Sequence, residues 1–290
     1  MGAFSLPNAS FAFNKSNFWA GAILSKLNEH HQKHAAPKAL RLRFLQFALF
    51  ALAGIVISLM LLSLLWNPGA VWLRSGLVLT GSCFIFTYTY LHLSENVNSK
   101  SSAILSHLGA ANVITLIRGV LAVALLFFVG VPRPAGWLGW IPGISFFMLA
   151  LTDSLDGFVA RRKNQSTKLG QKLDLTFDSI AVLVAILLAI SYSQVRLWFF
   201  VVGLAPFIFQ IVTWLRRRLK QPVTPLSPSL FRAILGGVLF GFLCFALAPI
   251  FPRHVTIPVG NFIAAMILFS FVRDWWTIVR ETDAAPERIA

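Results

Sequence analysis

Four aspartates, Asp153, Asp156, Asp174 and Asp178, account for four of the ten acidic residues in this 290-residue chain, and all lie in DSLDGFVARRKNQSTKLGQKLDLTFD, residues 153–178. On an α-helix at about 100° per residue, Asp153 and Asp156 fall about 60° apart and Asp174 and Asp178 about 40° apart, so each pair shares one helix face. The polar RRKNQSTKL between them is short, which predicts an antiparallel helix hairpin whose carboxylate faces meet across about 8–10 Å between axes. Four facing carboxylates do not all stay ionised without a cation. Hard divalent ions take oxygen ligands of this kind, and Mg²⁺ is commonly held by a few carboxylates with water and substrate phosphate. Gly157 and Ala160 leave the backbone beside Asp156 open to a bulky ligand, and Arg161 adds a fixed cation that can grip phosphate. A lone aspartate pair near a helix end is more often a solvated cap. Carboxylates at membrane depth, in contrast, are costly enough to be functional by default.

These residues form the pattern D-x2-D-G-x2-A-R-x8-G-x3-D-x3-D, filled by Asp153, Asp156, Gly157, Ala160, Arg161, Gly170, Asp174 and Asp178. The pattern resembles the signature of the class I CDP-alcohol phosphatidyltransferases at all eight specified positions. A second stretch upstream, Asn112-Val-Ile-Thr115-Leu-Ile-Arg118, is similar to the family's Pro-Asn-x-x-Thr-x-x-Arg segment, with Ala111 in place of proline. The resemblance covers roughly residues 109–275. It implies a six-helix catalytic core in which an acceptor hydroxyl attacks the phosphorus joining the alcohol to CMP, with release of CMP. It further implies Mg²⁺ or Mn²⁺ held by Asp153, Asp156 and Asp174, with Asp178 as the base and in reach of metal. Asn112, Thr115, Arg118, Gly157, Ala160, Arg161 and Gly170 are implied to border the CDP-alcohol. The implied partners are the CDP-alcohol, foremost CDP-diacylglycerol, an acceptor alcohol and the lipid bilayer; the oligomeric state is left open, a homodimer among the alternatives.

The residues limit the choice of acceptor. Phosphatidylglycerophosphate synthases of this family typically read Asp-Pro-x-Ala-Asp-Lys from the third aspartate, where this chain has Asp174-Leu-Thr-Phe-Asp178-Ser179. They also tend to carry Gly-Lys-x-Lys-Thr before a late helix, where this chain has Ser229-Leu-Phe-Arg232. Inositol-phosphate enzymes often place arginine after the fourth aspartate, and this chain does not. Arg216, Arg217, Arg218 and Arg232 can bind a phosphorylated acceptor, but they read more simply as topology determinants. Asn112 also reads as a helix N-cap, and Thr115 is tolerable in any membrane helix. Arg118 is hardest to explain as packing, since an arginine two turns into a span normally has a partner.

The elements that must position these residues are helices crossing a bilayer. The chain is 57% hydrophobic and only 12% charged, too apolar for an ordinary soluble domain. Apolar spans are expected at about 44–66, 75–93, 113–131, 137–157, 173–192, 197–215, 231–250 and 256–273, long enough to approach the ~20 residues a crossing needs. The fold class is therefore an all-α integral membrane protein of about eight helices. Residues 1–43 form an N-terminal segment, 44–93 two extra helices, 109–275 the core and 276–290 a tail. Within the first segment Phe18, Trp19, Ala22, Ile23 and Leu27 share a face suited to an interfacial helix, and the His30, His31 and His34 cluster reads as solvated rather than metal-binding. No early apolar h-region marks a cleaved signal peptide. Cys83 and Cys244 sit in apolar runs without ligand spacing, which excludes a disulfide framework or zinc site.

With a cytoplasmic N-terminus, 20 of the 25 Lys and Arg residues fall inside, and only Arg74, Arg133, Arg196 and Arg253 outside. The formal charge of +15 is thus mostly a positive-inside signal, and it requires no nucleic acid. This reading places the chain in the cytoplasmic membrane with the aspartates facing the cytoplasm. Two other classes fit intramembrane carboxylates: an ion-coupled transporter, which predicts flux without CDP-lipid, and a non-catalytic scaffold, which the complete aspartate set argues against. Arg273, Asp274, Trp275 and Trp276 read as an interfacial anchor, with a gate over the site as the alternative.

Overall fold

The computed structural model describes residues 36–66, 69–98, 105–163, 167–219 and 229–283, without the side chains of 153–163, 217 and 277–283. The expected interfacial helix, the histidine cluster and most of the proline-bearing loop at 221–229 lie outside the described residues. The described chain is helical throughout. It runs α1 Lys38–Leu65, α2 Val71–Leu91, α3 Ala110–Ala124, α4 Ile141–Lys163, α5 Lys168–Ser191, α6 Phe200–Arg218, α7 Leu230–Leu247 and α8 Arg253–Asp283. Short 3₁₀ turns at Leu93–Glu95, Leu125–Phe128, Gly136–Trp140 and Leu197–Phe199 join or extend them. Among the described residues seven helices are long and apolar enough to cross a membrane, and the shorter apolar stretch Gly136–Thr152 leads into the polar end of α4.

Helix α1 begins at Lys38 and α8 runs on to Asp283, beyond the apolar spans expected there. Both extensions carry basic residues. A helix entering the interface keeps its backbone bonds internal, while Lys and Arg stems snorkel to the headgroups, so the helix outlasts its apolar run. The lipid-facing surface is apolar, with Phe50, Leu64, Trp72, Phe262 and Phe269 all exposed. On α1 only Leu40, Phe44, Ala48 and Leu59 are buried, the first three at successive i, i+4 positions.

Helix α5 lies at the centre, packing against α3, α6 and α7. Its far half, from Ala181 to Ala189, belongs to a core shared with Phe146 and Leu149 of α4, Val202 of α6, Leu239 and Leu243 of α7, and Ala264 of α8. The near half contributes Leu169, Leu173 and Phe177 to a second core with Phe44 of α1, Ile85 and Phe86 of α2 and Leu116 of α3. The two helices upstream of the resemblance therefore help to build the core beneath the aspartate-bearing end of α5.

The close approach of α3 to α5 depends on Gly119. A Cβ there would lie 2.7 Å from Phe177 Cδ2 and 3.0 Å from Cγ, and Phe177 is itself buried. Gly119→Ala is expected to cost about 1–3 kcal/mol by overpacking. Thermal melts in detergent should show a lower Tm for Gly119→Ala and partial recovery when Phe177→Leu is added; an unchanged Tm would contradict this packing.

Candidate functional site

Helix α3 places Asn112, Thr115 and Arg118 three residues apart, and all three are buried. Helix α5 places Gly170, Asp174 and Asp178 four apart, on one face. These two faces meet. Arg118 donates from Nη1 to Asp174 Oδ1 at 2.8 Å and from Nη2 to Asp178 Oδ1. Its side chain is 4% exposed, whereas those of Asp174 and Asp178 are 43% and 32% exposed. A planar guanidinium reaches two carboxylates one turn apart, which a single ammonium does less well.

The loop of the hairpin expected between α4 and α5, residues 164–166, lies outside the described residues. Among the described residues the most extensive helix contacts are those of α3 with α5 and of α3 with α4. The aspartates of α5 face an arginine from α3. Asp153, Asp156, Gly157, Ala160 and Arg161 lie on the last turns of α4, and their side chains are outside the described residues.

Asn112 is not the N-cap of its helix; Gly109 is. The Asn112 amide instead crosses to the start of α5, with Nδ2 3.2 Å from Thr167 Oγ1 and 3.1 Å from Asn96 Oδ1. Thr167 caps α5 by accepting the Gly170 N–H at 3.0 Å. A Cβ on Gly170 would lie 2.5 Å from Asn112 Oδ1, so the Asn112 contact itself favours glycine there. Thr115 returns its hydroxyl to Ala111 O on its own helix at 3.0 Å.

Two of the cavities among the described residues lie beside α5 or the apolar part of α4. One, of about 270 Å³, lies between α5, α6, α7 and α8, with Asp178, Ser179, Arg232, Ser270 and Asp274 among otherwise mostly apolar walls. Arg232 donates to Asp274 Oδ2 at 3.0 Å, Arg273 reaches Asp274 Oδ1 at 3.0 Å, and Asp274 is buried. From sequence, Arg232 reads mainly as a topology determinant and Asp274 as part of an interfacial anchor. Both belong to the cavity that holds Asp178; the available signal was a lone acid at the end of an apolar span. The other cavity, of about 930 Å³, is an apolar groove between Gly143, Phe147 and Ala150 of α4 and Gly237, Gly241 and Cys244 of α7. Gly236 and Phe240 line both.

The described chain is thus a helical bundle of membrane-spanning character in which a buried arginine meets paired carboxylates beside a cavity. Residues 108–272, more than half of the chain, match the family model for CDP-alcohol phosphatidyltransferase, and the chain belongs to that family. It is 37% identical over 82 residues to the CDP-diacylglycerol--glycerol-3-phosphate 3-phosphatidyltransferase of Escherichia coli (strain K12), which is 28% of this chain and 45% of that relative. The protein of the same name from Salmonella typhi gives the same figures. That of Cereibacter sphaeroides is 35% identical over 92 residues, 30% of this chain and 39% of the relative. The chain spans less than half the length of these curated relatives.

Arg118→Met removes the shared partner of two carboxylates. Because both carboxylates are partly exposed, the expected loss of stability is about 1–3 kcal/mol, below the 3–5 kcal/mol of a fully buried broken pair. Arg118→Lys should fall between wild type and Met in thermal melts. Equal stability of all three would mean that the pairing contributes nothing.

Proposed function

We propose that this protein is a membrane phosphotransferase that moves a phosphatidyl group from CDP-diacylglycerol to an acceptor hydroxyl, releasing CMP. The observation that carries the reading is the convergence of Arg118 with Asp174 and Asp178, the last of them at the wall of a cavity, within a chain of this family. The groove between α4 and α7 suits the acyl chains of the donor, since it is apolar and ends near the turn that carries Asp153. The cavity beside Asp178 suits the acceptor, with Arg232 held at its wall by Asp274.

In this reaction the acceptor oxygen bonds to the phosphorus that carries the diacylglycerol, and the bond from that phosphorus to the CMP oxygen breaks. CMP leaves with the electron pair. Asp178 takes the acceptor proton, and Arg118 holds Asp178 and Asp174 in fixed register while offsetting part of their charge. Arg161 grips the pyrophosphate, and Gly157 and Ala160 give the nucleotide room beside Asp156.

The donor set also fits a divalent metal. It is oxygen-only, and the described carboxylates are partly exposed rather than sealed, which suits Mg²⁺ or Mn²⁺. Asp153, Asp156 and Asp174 would hold the ion, with Asp178 in reach; when bound it neutralises pyrophosphate charge. The excess of basic residues on one side of the bundle supports a site facing the cytoplasm. The relatives named above act on glycerol 3-phosphate by name, whereas Leu175, Phe177 and Ser179 depart from the pattern typical of such enzymes, so glycerol 3-phosphate is one acceptor among several to be compared.

The purified protein should release CMP from CDP-diacylglycerol in Mg²⁺ or Mn²⁺ with one of glycerol 3-phosphate, inositol phosphate, serine or a lipid alcohol, and yield one new phospholipid. No release with any acceptor, or solute flux without CDP-lipid, would overturn the reading. Asp153→Asn, Asp156→Asn and Asp174→Asn should each abolish turnover in a folded protein, as should EDTA; full activity in EDTA would remove the metal. Asp178→Asn should lose most of the single-turnover rate while CDP-lipid binding survives within about tenfold, a change of about 1.4 kcal/mol or less. Binding lost as completely as in Asp153→Asn would make Asp178 another metal ligand.

A further inference from the structure

Asn96 lies upstream of the region that matches the family, at the end of the 3₁₀ turn following α2, and it is fully buried. A buried amide without partners costs about 1–3 kcal/mol, so its bonds are informative. Asn96 Oδ1 accepts the Asn112 amide at 3.1 Å. Its Nδ2 donates to His107 O at 3.0 Å and to Leu105 O at 3.4 Å, and its own carbonyl accepts the Leu105 N–H at 2.9 Å. Every polar atom of the side chain is used. The consequence is a fixed orientation for Asn112, whose amide is left with its other face on Thr167, the cap of α5.

The segment around Asn96 also holds α5 directly. Lys168 N–H donates to Val97 O at 3.2 Å, Asn98 and Thr167 form an isolated antiparallel bridge, Lys172 pairs with Glu95 at 2.8 Å, and Tyr88 meets Thr176 Oγ1 at 3.2 Å. Residues 168, 172 and 176 share one face of α5, about 160° round the helix from the face of 170, 174 and 178 that meets α3. The near half of α5 is therefore gripped on two nearly opposite faces, by α3 on one and by the α2-to-α3 connection on the other. Asn96 is the residue that joins the two grips.

We infer that Asn96 is a positioning residue for the reaction, which sets the rotation and start of α5, and so the placement of Asp174 and Asp178, through Asn112 and Thr167. The inference rests on reading those two aspartates as the working carboxylates. Its chemistry is geometric, because a displacement of about 1 Å at a reacting group can cost on the order of 10²-fold in rate. It also gives the two extra N-terminal helices a task, since α2 carries the connection that delivers Asn96 to the site.

The test replaces Asn96 by Leu, which keeps the volume and removes all three side-chain bonds, in the full-length protein. Two readouts are compared with wild type: amide exchange across α5 by mass spectrometry, and kcat and KM for CDP-diacylglycerol. Asn96→Leu should speed exchange over residues 168–174 while leaving 181–189 unchanged, and should lower kcat by about tenfold or more with KM within about threefold. Asn96→Ser, a milder change, should move both readouts in the same direction by less, and it decides the matter if Asn96→Leu does not fold. Unaltered exchange over 168–174, or uniform acceleration along all of α5, would overturn the inference, as would a loss confined to KM. If wild type releases no CMP with any acceptor, the proposed activity falls, while the exchange comparison still decides whether Asn96 governs the start of α5.

Discussion

The bond between Arg118 and the two aspartates of α5 is the interaction on which the arrangement of this membrane bundle depends. An arginine two turns inside a membrane helix is costly until its charge is met, and Asp174 and Asp178 meet it from 56 and 60 residues further along the chain. The pairing requires α3 and α5 to pack closely enough for the fork to span both carboxylates. That closeness demands glycine at 119 opposite Phe177 and at 170 opposite Asn112. Small residues at a helix interface are how membrane helices gain contact where lipid offers no hydrophobic drive between them.

The support reaches well outside the family-matched region. Phe44 of α1 and Phe86 of α2 pack edge to face at 6.4 Å within the same core that contains Leu169, Leu173 and Phe177. The polar ties from Glu95, Asn96 and Val97 then connect that core to the first turn of α5. At the other end of the bundle, Arg133 stacks over Tyr192 at 4.7 Å and donates to the carbonyls of Ala246 and Ala248, satisfying the end of α7. Arg118 and Arg133 hold helices together, a task separate from any the basic residues have at the membrane surface.

Much of this was legible in the residues alone. Apolar runs located the helices because hydrocarbon admits little else, and the aspartate spacing placed Asp174 and Asp178 on one face because helical periodicity is fixed. Arg118 announced its need for a partner through its depth. The identity of the partner was not legible, since periodicity says which way a side chain points on its own helix and nothing about which helix lies opposite. The same gap hid the position of α3 against both α4 and α5, the turning of Asn112 away from a cap, and the Arg232–Asp274 pair across 42 residues. Asn96 carried no signal at all; its type is ordinary, and its burial and bonds exist only in the folded chain.

The order of synthesis gives the Arg118 pairing a further cost. A chain made from its N-terminus delivers α3 to the bilayer before α5 exists, so Arg118 enters without the carboxylates that later neutralise it. On insertion scales an arginine near a helix centre costs about 2.5–3.5 kcal/mol, while each Leu, Ile, Val or Phe returns about 0.3–0.6. The stretch Ala110–Phe128 offers Val113, Ile114, Leu116, Ile117, Val120, Leu121, Val123, Leu125, Leu126, Phe127 and Phe128 against that cost. That apolar run is what lets a charged helix wait in lipid for its partner to be made.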